Sequence, residues 1–213
     1  MHRRRLGALL AGSLPLALAG CQTDRTTDES AANDTTSGIP EFTAEEQAAA
    51  DAVDPTWPTG PYASYETTPV VVRGADGGVR GAVVAAVADT RDKRRLGLSA
   101  AASLPTDGGM LFTYESVGDH TYVMRDMSFG LDIIYADGNG EITEIHTAPE
   151  PGPDENGAAQ TYPGRGQYVF EVNRNWTADN NVTVGDRLVF DRYSRSRRPR
   201  QARTDCRRRS GSP

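Results

Sequence analysis

Lysine is nearly absent from this chain of 213 residues: Lys93 stands alone, and every other basic side chain is arginine. Cysteine is as sparse, with Cys21 and Cys206 only, which excludes a disulfide-dense scaffold. No apolar run approaches the roughly 20 residues that a spanning helix needs, so a transmembrane bundle is excluded as well. Catalytic signatures are lacking too. There is no G-x-S-x-G elbow, phosphate loop, dinucleotide fingerprint or H-E-x-x-H pair, and neither a cofactor nor a metal is expected.

The charge that is present is unevenly spread. A net charge of -6 conceals three zones. Residues 1–21 carry three arginines and no acid, residues 22–190 carry 11 basic and 27 acidic side chains, and residues 191–213 carry nine arginines against Asp191 and Asp205. A body so acidic and so poor in lysine resembles the surface of a halophile's protein, where net charge preserves solubility in concentrated salt. The same charge argues against nucleic acid as a partner, because phosphate contact needs a basic footprint.

The N-terminus reads as an address. Three arginines lead into an apolar run of leucine and small residues that closes on Leu18-Ala19-Gly20-Cys21. A basic start and an apolar stretch of about 7–15 residues make an export signal. The arginines before Leu6 resemble a twin-arginine signal, and the ending resembles a lipobox. Residues 1–20 are therefore expected to be removed. Cys21 is expected to carry lipid and anchor the protein to the outer face of the cytoplasmic membrane. Residues 21–66 are expected to be an acidic flexible tether, since ten acids against Arg25 with few large apolar residues cannot offset ordering entropy. Within it, Thr43-Ala44-Glu45-Glu46 is a capping box that predicts one or two helical turns. Trp57, Tyr62 and Tyr65 mark where the tether meets the folded part.

Residues 67–191 carry the pattern of a domain. Short valine-rich and aromatic runs alternate with glycine turns: Val70–Val72, Val79–Val87, Met110–Phe112, His120–Met124, Leu131–Ala136, Glu141–Thr147, Tyr168–Val172 and Arg187–Phe190. Thr90 caps a predicted helix that carries Leu96, Leu98 and Ala102 and stops at Pro105. A second short helical segment surrounds Trp176. Many short strands with one or two helices predict a mainly β, barrel-like α+β domain with an antiparallel or mixed sheet.

Five ordered blocks carry a family resemblance: Arg95-Leu96-Gly97-Leu98, Leu104 through Phe112, Leu131-Asp132-Ile133-Ile134, Tyr168 through Asn173, and Val184-Gly185-Asp186. Together they resemble the family known as domain of unknown function 192, also called uncharacterised protein family 0127, over roughly Val79 to Phe190. The resemblance implies a compact, β-rich, barrel-like domain, often exported, with no settled activity. The chain departs from the family where Trp-Met-Lys-Asn is common, reading Val123-Met124-Arg125-Asp126, and where Gly130 replaces the usual proline.

One turn predicts a site. Asp137-Gly138-Asn139-Gly140 suits a type I turn with a glycine bulge, a three-residue hairpin loop. Counting back from a pair between Asp137 and Glu141 sets Asp132 opposite His146 and Ile134 opposite Glu144, so that Asp132, Glu144 and His146 share one face. An aspartate beside a histidine can orient its tautomer and raise its basicity, which makes these three the catalytic candidates. The plainer reading is a cross-strand charge pair. Arg95, Met124, Asp132 and His146 are the candidates for ligand binding. His120, His146 and Asp132 were the remaining donors for zinc, without any recognised metal spacing. Asn33, Asn175 and Asn181 fit the glycosylation triplet. The arginine block 192–213 lacks apolar periodicity and is expected to be disordered.

Two functions follow as expectations. The first is an extracytoplasmic, membrane-anchored binding or accessory module whose partner is a small polar ligand or an envelope protein. The second is a hydrolase-like enzyme built on Asp132, Glu144 and His146.

Overall fold

The computed structural model describes residues 38–53 and 56–191. Cys21, Asn33, the arginine block and the segment expected to be the export signal lie outside them. A seven-stranded sheet dominates, in the order β5-β4-β6-β3-β2-β1-β7. In chain order the strands are β1 (Thr67–Arg73), β2 (Val79–Ala88), β3 (Gly108–Val123), β4 (Leu131–Ala136), β5 (Ile142–Ala148), β6 (Thr161–Asn173) and β7 (Arg187–Phe190). Three short helices accompany them: α1 (Ala44–Ala52), α2 (Arg91–Leu96) and α3 (Trp176–Asp179). The mainly β, barrel-like α+β expectation is met.

Local chemistry explains the elements. The triple valine of β1 is fully buried, as β-branched side chains between two packed faces should be. β1 and β2 form an antiparallel hairpin, whereas β2 and β3 are parallel. A parallel pair needs a long connection, and α2 lies within it. The Thr90 side chain accepts from the Lys93 amide at 3.3 Å to start α2. The helix stops earlier than expected, because Gly97 takes a positive φ of 52° and its amide closes on the Lys93 carbonyl at 2.9 Å. Leu98 therefore enters the core from a turn.

The two strands expected at Met110–Phe112 and His120–Met124 are one strand, β3, interrupted by a wide bulge. Thr113 pairs with Tyr168 and Gly118 with Gly166, so four residues face Gln167 alone. Ten residues of extended chain span about 33 Å, yet the rings of Phe112 and Tyr122 lie 4.9 Å apart and edge to face. The distal arm of β3 and β6 thus folds back over the sheet. Gly164 permits it, since a Cβ there would stand 2.6 Å from the Tyr135 ring.

Two cores result, one on each face of the sheet. The first gathers Val70, Val83, Phe170 and Leu188 beneath Trp176 of α3. The second gathers Met110, Phe112, Ile133, Tyr135 and Leu98 beneath the folded arm. The tether expected over 21–66 changes character within the described residues. The capping box forms, with Thr43 and Glu46 exchanging hydrogen bonds at 3.3 and 2.7 Å, and it anchors α1. Glu46 is buried and paired with Arg73, whose guanidinium holds its carboxyl below the usual range. Trp57 is buried and donates to the Gly109 carbonyl at 2.8 Å, and Tyr62 is buried beside it. Each such aromatic stabilises the fold by roughly 3 kcal/mol, in keeping with their expected place where the tether meets the folded part.

At one corner the sheet curls until its borders meet. Glu141 bridges Arg187, and backbone hydrogen bonds join Ile142 to Asp186, Gly185 to Ile142 and Leu188 to Gly140. The result is a curled half-barrel. Among the described residues no helix is long and apolar enough to cross a membrane.

Candidate functional site

The β4–β5 turn has the predicted geometry, but the register beyond it does not. Gly140 adopts φ 81°, its amide bonds to the Asp137 carbonyl at 3.1 Å, and the Asp137 amide bonds to the Glu141 carbonyl at 2.9 Å. Ala136 then pairs with Ile142 and Tyr135 with Glu144, leaving Thr143 as an extra residue. The Thr143 hydroxyl reaches the carbonyls of Arg165 at 3.0 Å and Tyr135 at 3.3 Å. That bulge moves the pairing by one. His146 stands opposite Ile133, and Asp132 opposite Thr147.

A one-residue slip exchanges faces, so the expected trio is divided. Glu144 and His146 stay together, with Nε2 and Oε1 3.1 Å apart, beside Tyr135 and Tyr162. His146 Nε2 also meets the Pro163 carbonyl at 2.8 Å. Asp132 lies on the other face, fully buried. It accepts from the Asn175 amide at 3.1 Å, the Thr177 amide at 2.9 Å and the Thr177 hydroxyl at 2.6 Å. Its task is to tie α3 to the sheet. The enzyme reading built on Asp132, Glu144 and His146 loses its orienting carboxylate, and Asp132 leaves the set of ligand-binding candidates.

The other candidates fall as follows. Met124 is fully buried core. His120 stacks on Tyr114 at 3.6 Å and meets the Gly166 carbonyl at 3.2 Å, and burial lowers its pKa. Asn175 and Asn181 are exposed, both with positive φ. Among the described residues no group of three or more His, Cys, Asp or Glu side chains is placed to hold a metal ion.

Of the ligand-binding candidates, Arg95 lines a cavity. That cavity, of about 210 Å³, lies between α2 with its following turn and the folded-back arm, over the second core. Arg94, Arg95 and Arg125 line it, together with Leu98, Phe112, Met127 and Leu131. Tyr114 and Tyr122 line one side, with their hydroxyls 3.1 Å apart. Burial pushes the Tyr122 hydroxyl well above its ordinary range. Arg94 is fixed by the carbonyls of Asp89 and Thr113, both at 2.8 Å, and lies over the Tyr114 ring. Arg125 donates to the Arg95 carbonyl at 3.3 Å.

Glu171 completes the lining. It sits in the middle of β6, paired with Met110 on one side and Ile133 on the other, and only 5% of it is exposed. Its carboxyl has no hydrogen-bond partner among the described residues. Burial raises its pKa from 4.5 to about 8, so it holds its proton at neutral pH. Sequence reading gave it no role, taking Tyr168–Val172 as a strand without singling out its acid. The one signal in the sequence is an acid at the centre of an otherwise apolar and aromatic run. Each of the first four family blocks contributes to this lining through Arg95–Leu98, Phe112, Leu131 and Glu171. Val123, at the departure from the family's common tryptophan, stands on the same wall.

Fold and site together define a small curled half-barrel with a cavity lined by arginines, tyrosines and the buried Glu171. The chain belongs to the DUF192 family, described as Uncharacterized ACR, COG1430, whose model matches residues 72–190. Among solved structures it is similar to a putative transcription regulator from Sinorhizobium meliloti, with TM-score 0.54 and 24% identity over 60% of this chain and 95% of that one. It is also similar to a protein of unknown function from Novosphingobium aromaticivorans, with TM-score 0.52 and 24% identity over 70% of this chain and 99% of that one. At that identity the likeness concerns the fold. Comparison with curated proteins finds no match.

Proposed function

We propose that the protein is an extracytoplasmic lipoprotein, held by Cys21 to the outer face of the cytoplasmic membrane, whose domain is a binding or accessory module. On this reading the cavity over Glu171 takes a small polar ligand, for the protein's own use or for presentation to an envelope partner. The anchor rests on the order of arginines, apolar run and Leu18-Ala19-Gly20-Cys21, and the acidic, lysine-poor body suits a saline exterior.

The observation that carries the binding role is Glu171. Its carboxyl lines the cavity without a hydrogen-bond partner among the described residues, and ligand pockets orient their guests through a small number of such polar groups in an otherwise apolar lining. The charged pair of Glu144 and His146 lies at the half-exposed edge strand, away from the cavity lining, and favours no second reading.

Two measurements test the proposal. Cys21→Ser should move the protein from the membrane fraction to the soluble fraction, and unchanged partitioning would refute the anchor. In a thermal-shift screen, Val123→Trp should alter the set or strength of stabilising compounds by reshaping the cavity wall. Hits indifferent to that change would remove the cavity from the function.

A further inference from the structure

We infer that the cavity binds a small organic monocarboxylate, its oxygens taken by the donors around Arg95, Arg125 and Glu171 and its apolar body laid against Leu98, Phe112 and Met127. The inference rests on the reading of this cavity as a ligand site and names the class of molecule that fits it.

The charged groups at the cavity, its arginines, call for an acceptor or an anion. Arginine has donors only, and three arginines in one lining disfavour a cationic guest. Arg94 and Arg125 spend donors on backbone carbonyls. The Arg95 side chain is exposed and has no partner among the described residues. The tyrosine hydroxyls already face each other. Protonated Glu171 has an O–H with nothing to receive it, and a carboxylate oxygen is an acceptor that would. The planar guanidinium fork matches a carboxylate in two parallel hydrogen bonds.

Size and polarity set the rest of the molecule. An engineered cavity of about 150 Å³ holds benzene, so about 210 Å³ has room for an aryl or short alkyl acid. Leu98, Phe112 and Leu131 are buried apolar walls that an inorganic anion or a sugar would leave poorly matched. A dianionic phosphate would also place two charges beside an acid held in an apolar setting, which costs more than one.

A dependence on pH follows from the same geometry. The groups facing Glu171 are Tyr114 and Tyr122 from β3, Tyr135 from β4, Tyr62 from the turn before β1, Arg94 and Arg95 from α2, and Arg125 from the segment after β3. The resolved shifts of these tyrosines are upward, and arginine stays charged, so Glu171 is the group that changes charge near pH 8. Once ionised it repels a second carboxylate and no longer donates.

The test is calorimetric titration of the full chain, at a salt concentration where it is shown to be folded, with benzoate, benzyl alcohol and benzamidinium, which share a body and differ in the head. The methyl resonance of Met127 reports whether a probe enters the cavity. Benzoate should bind at pH 7 and weaken about tenfold by pH 9, since each unit beyond the pKa is a factor of ten. The ratio of its affinities at the two pH values should approach one in Glu171→Gln, and Arg95→Gln should weaken it about tenfold. Benzyl alcohol or benzamidinium binding as well as benzoate, with the Met127 signal moving, would overturn the carboxylate assignment and leave the ligand site standing. No probe moving Met127 would overturn both. An equal loss between pH 7 and pH 9 in Glu171→Gln would overturn the part given to Glu171.

Discussion

Asp132 and Glu171 lie on neighbouring strands, one step apart in the ladder, and both are buried. They point to opposite faces of the sheet. Asp132 accepts three hydrogen bonds from the start of α3, whereas Glu171 meets none among the described residues and lines a cavity. The two carboxyls show how burial alone fails to separate structure from function. What separates them is whether the fold itself supplies the partners. A satisfied acid is a strut, and an unsatisfied one beside a void is a vacancy shaped for something else.

The contrast can be broken most forcefully through Glu171. Its pKa is raised in the fold, from 4.5 to about 8, so between those values the unfolded chain gives up a proton that the native chain keeps. The stability contributed by Glu171 should therefore be fully present below pH 4.5, fall as pH rises and level off above pH 8. The difference amounts to about 5 kcal/mol at 1.36 kcal/mol per unit. Urea unfolding across that range should show the decline in the native protein, and Glu171→Gln should remove this component of it. A Gln variant with an undiminished slope would assign the loss to other groups.

Asp132→Ala comes next. It strands two amides and a hydroxyl in the interior, and a loss of about 4 kcal/mol is expected in chemical denaturation. An effect below about 1 kcal/mol would mean that α3 finds other partners. The smallest change sharpens the comparison: Asp132→Asn keeps one acceptor oxygen and turns its other end into a donor facing donors. It should cost about 2 kcal/mol, with benzoate affinity unmoved, because the residue faces away from the cavity.

Much of this architecture was legible in residue patterns, and the exceptions have physical causes. Leu131–Ala136 and Arg187–Phe190 read as strands and are strands with those limits, since short apolar runs between glycine turns leave little choice. Asp137-Gly138-Asn139-Gly140 announced its bulged turn through a glycine that must take positive φ. The Thr143 bulge announced nothing, because it depends on the Arg165 carbonyl arriving from β6. That one contact from a distant strand undid the grouping of Asp132 with His146. The helix begun at Thr90 was foreseen at its cap and misjudged at its end, where Gly97 outweighed the apolar spacing that followed. Glu171 was hidden for a different reason. Alternation along one strand tells which residues share a face, but only the arm folding back makes that face an interior. The wide bulge opposite Gln167, which permits the fold-back, has no composition of its own.

The corner where Glu141 meets Arg187 has a consequence for self-association. Sheets with open borders recruit strands from their neighbours, and proteins held side by side at high local density are the most exposed to it. Here the start of β5 and the short β7 spend backbone groups on each other, and the rest of β5 carries a bulge and the charged pair of Glu144 and His146. A molecule sealed and armoured in this way can stand among its own copies without being stitched to them.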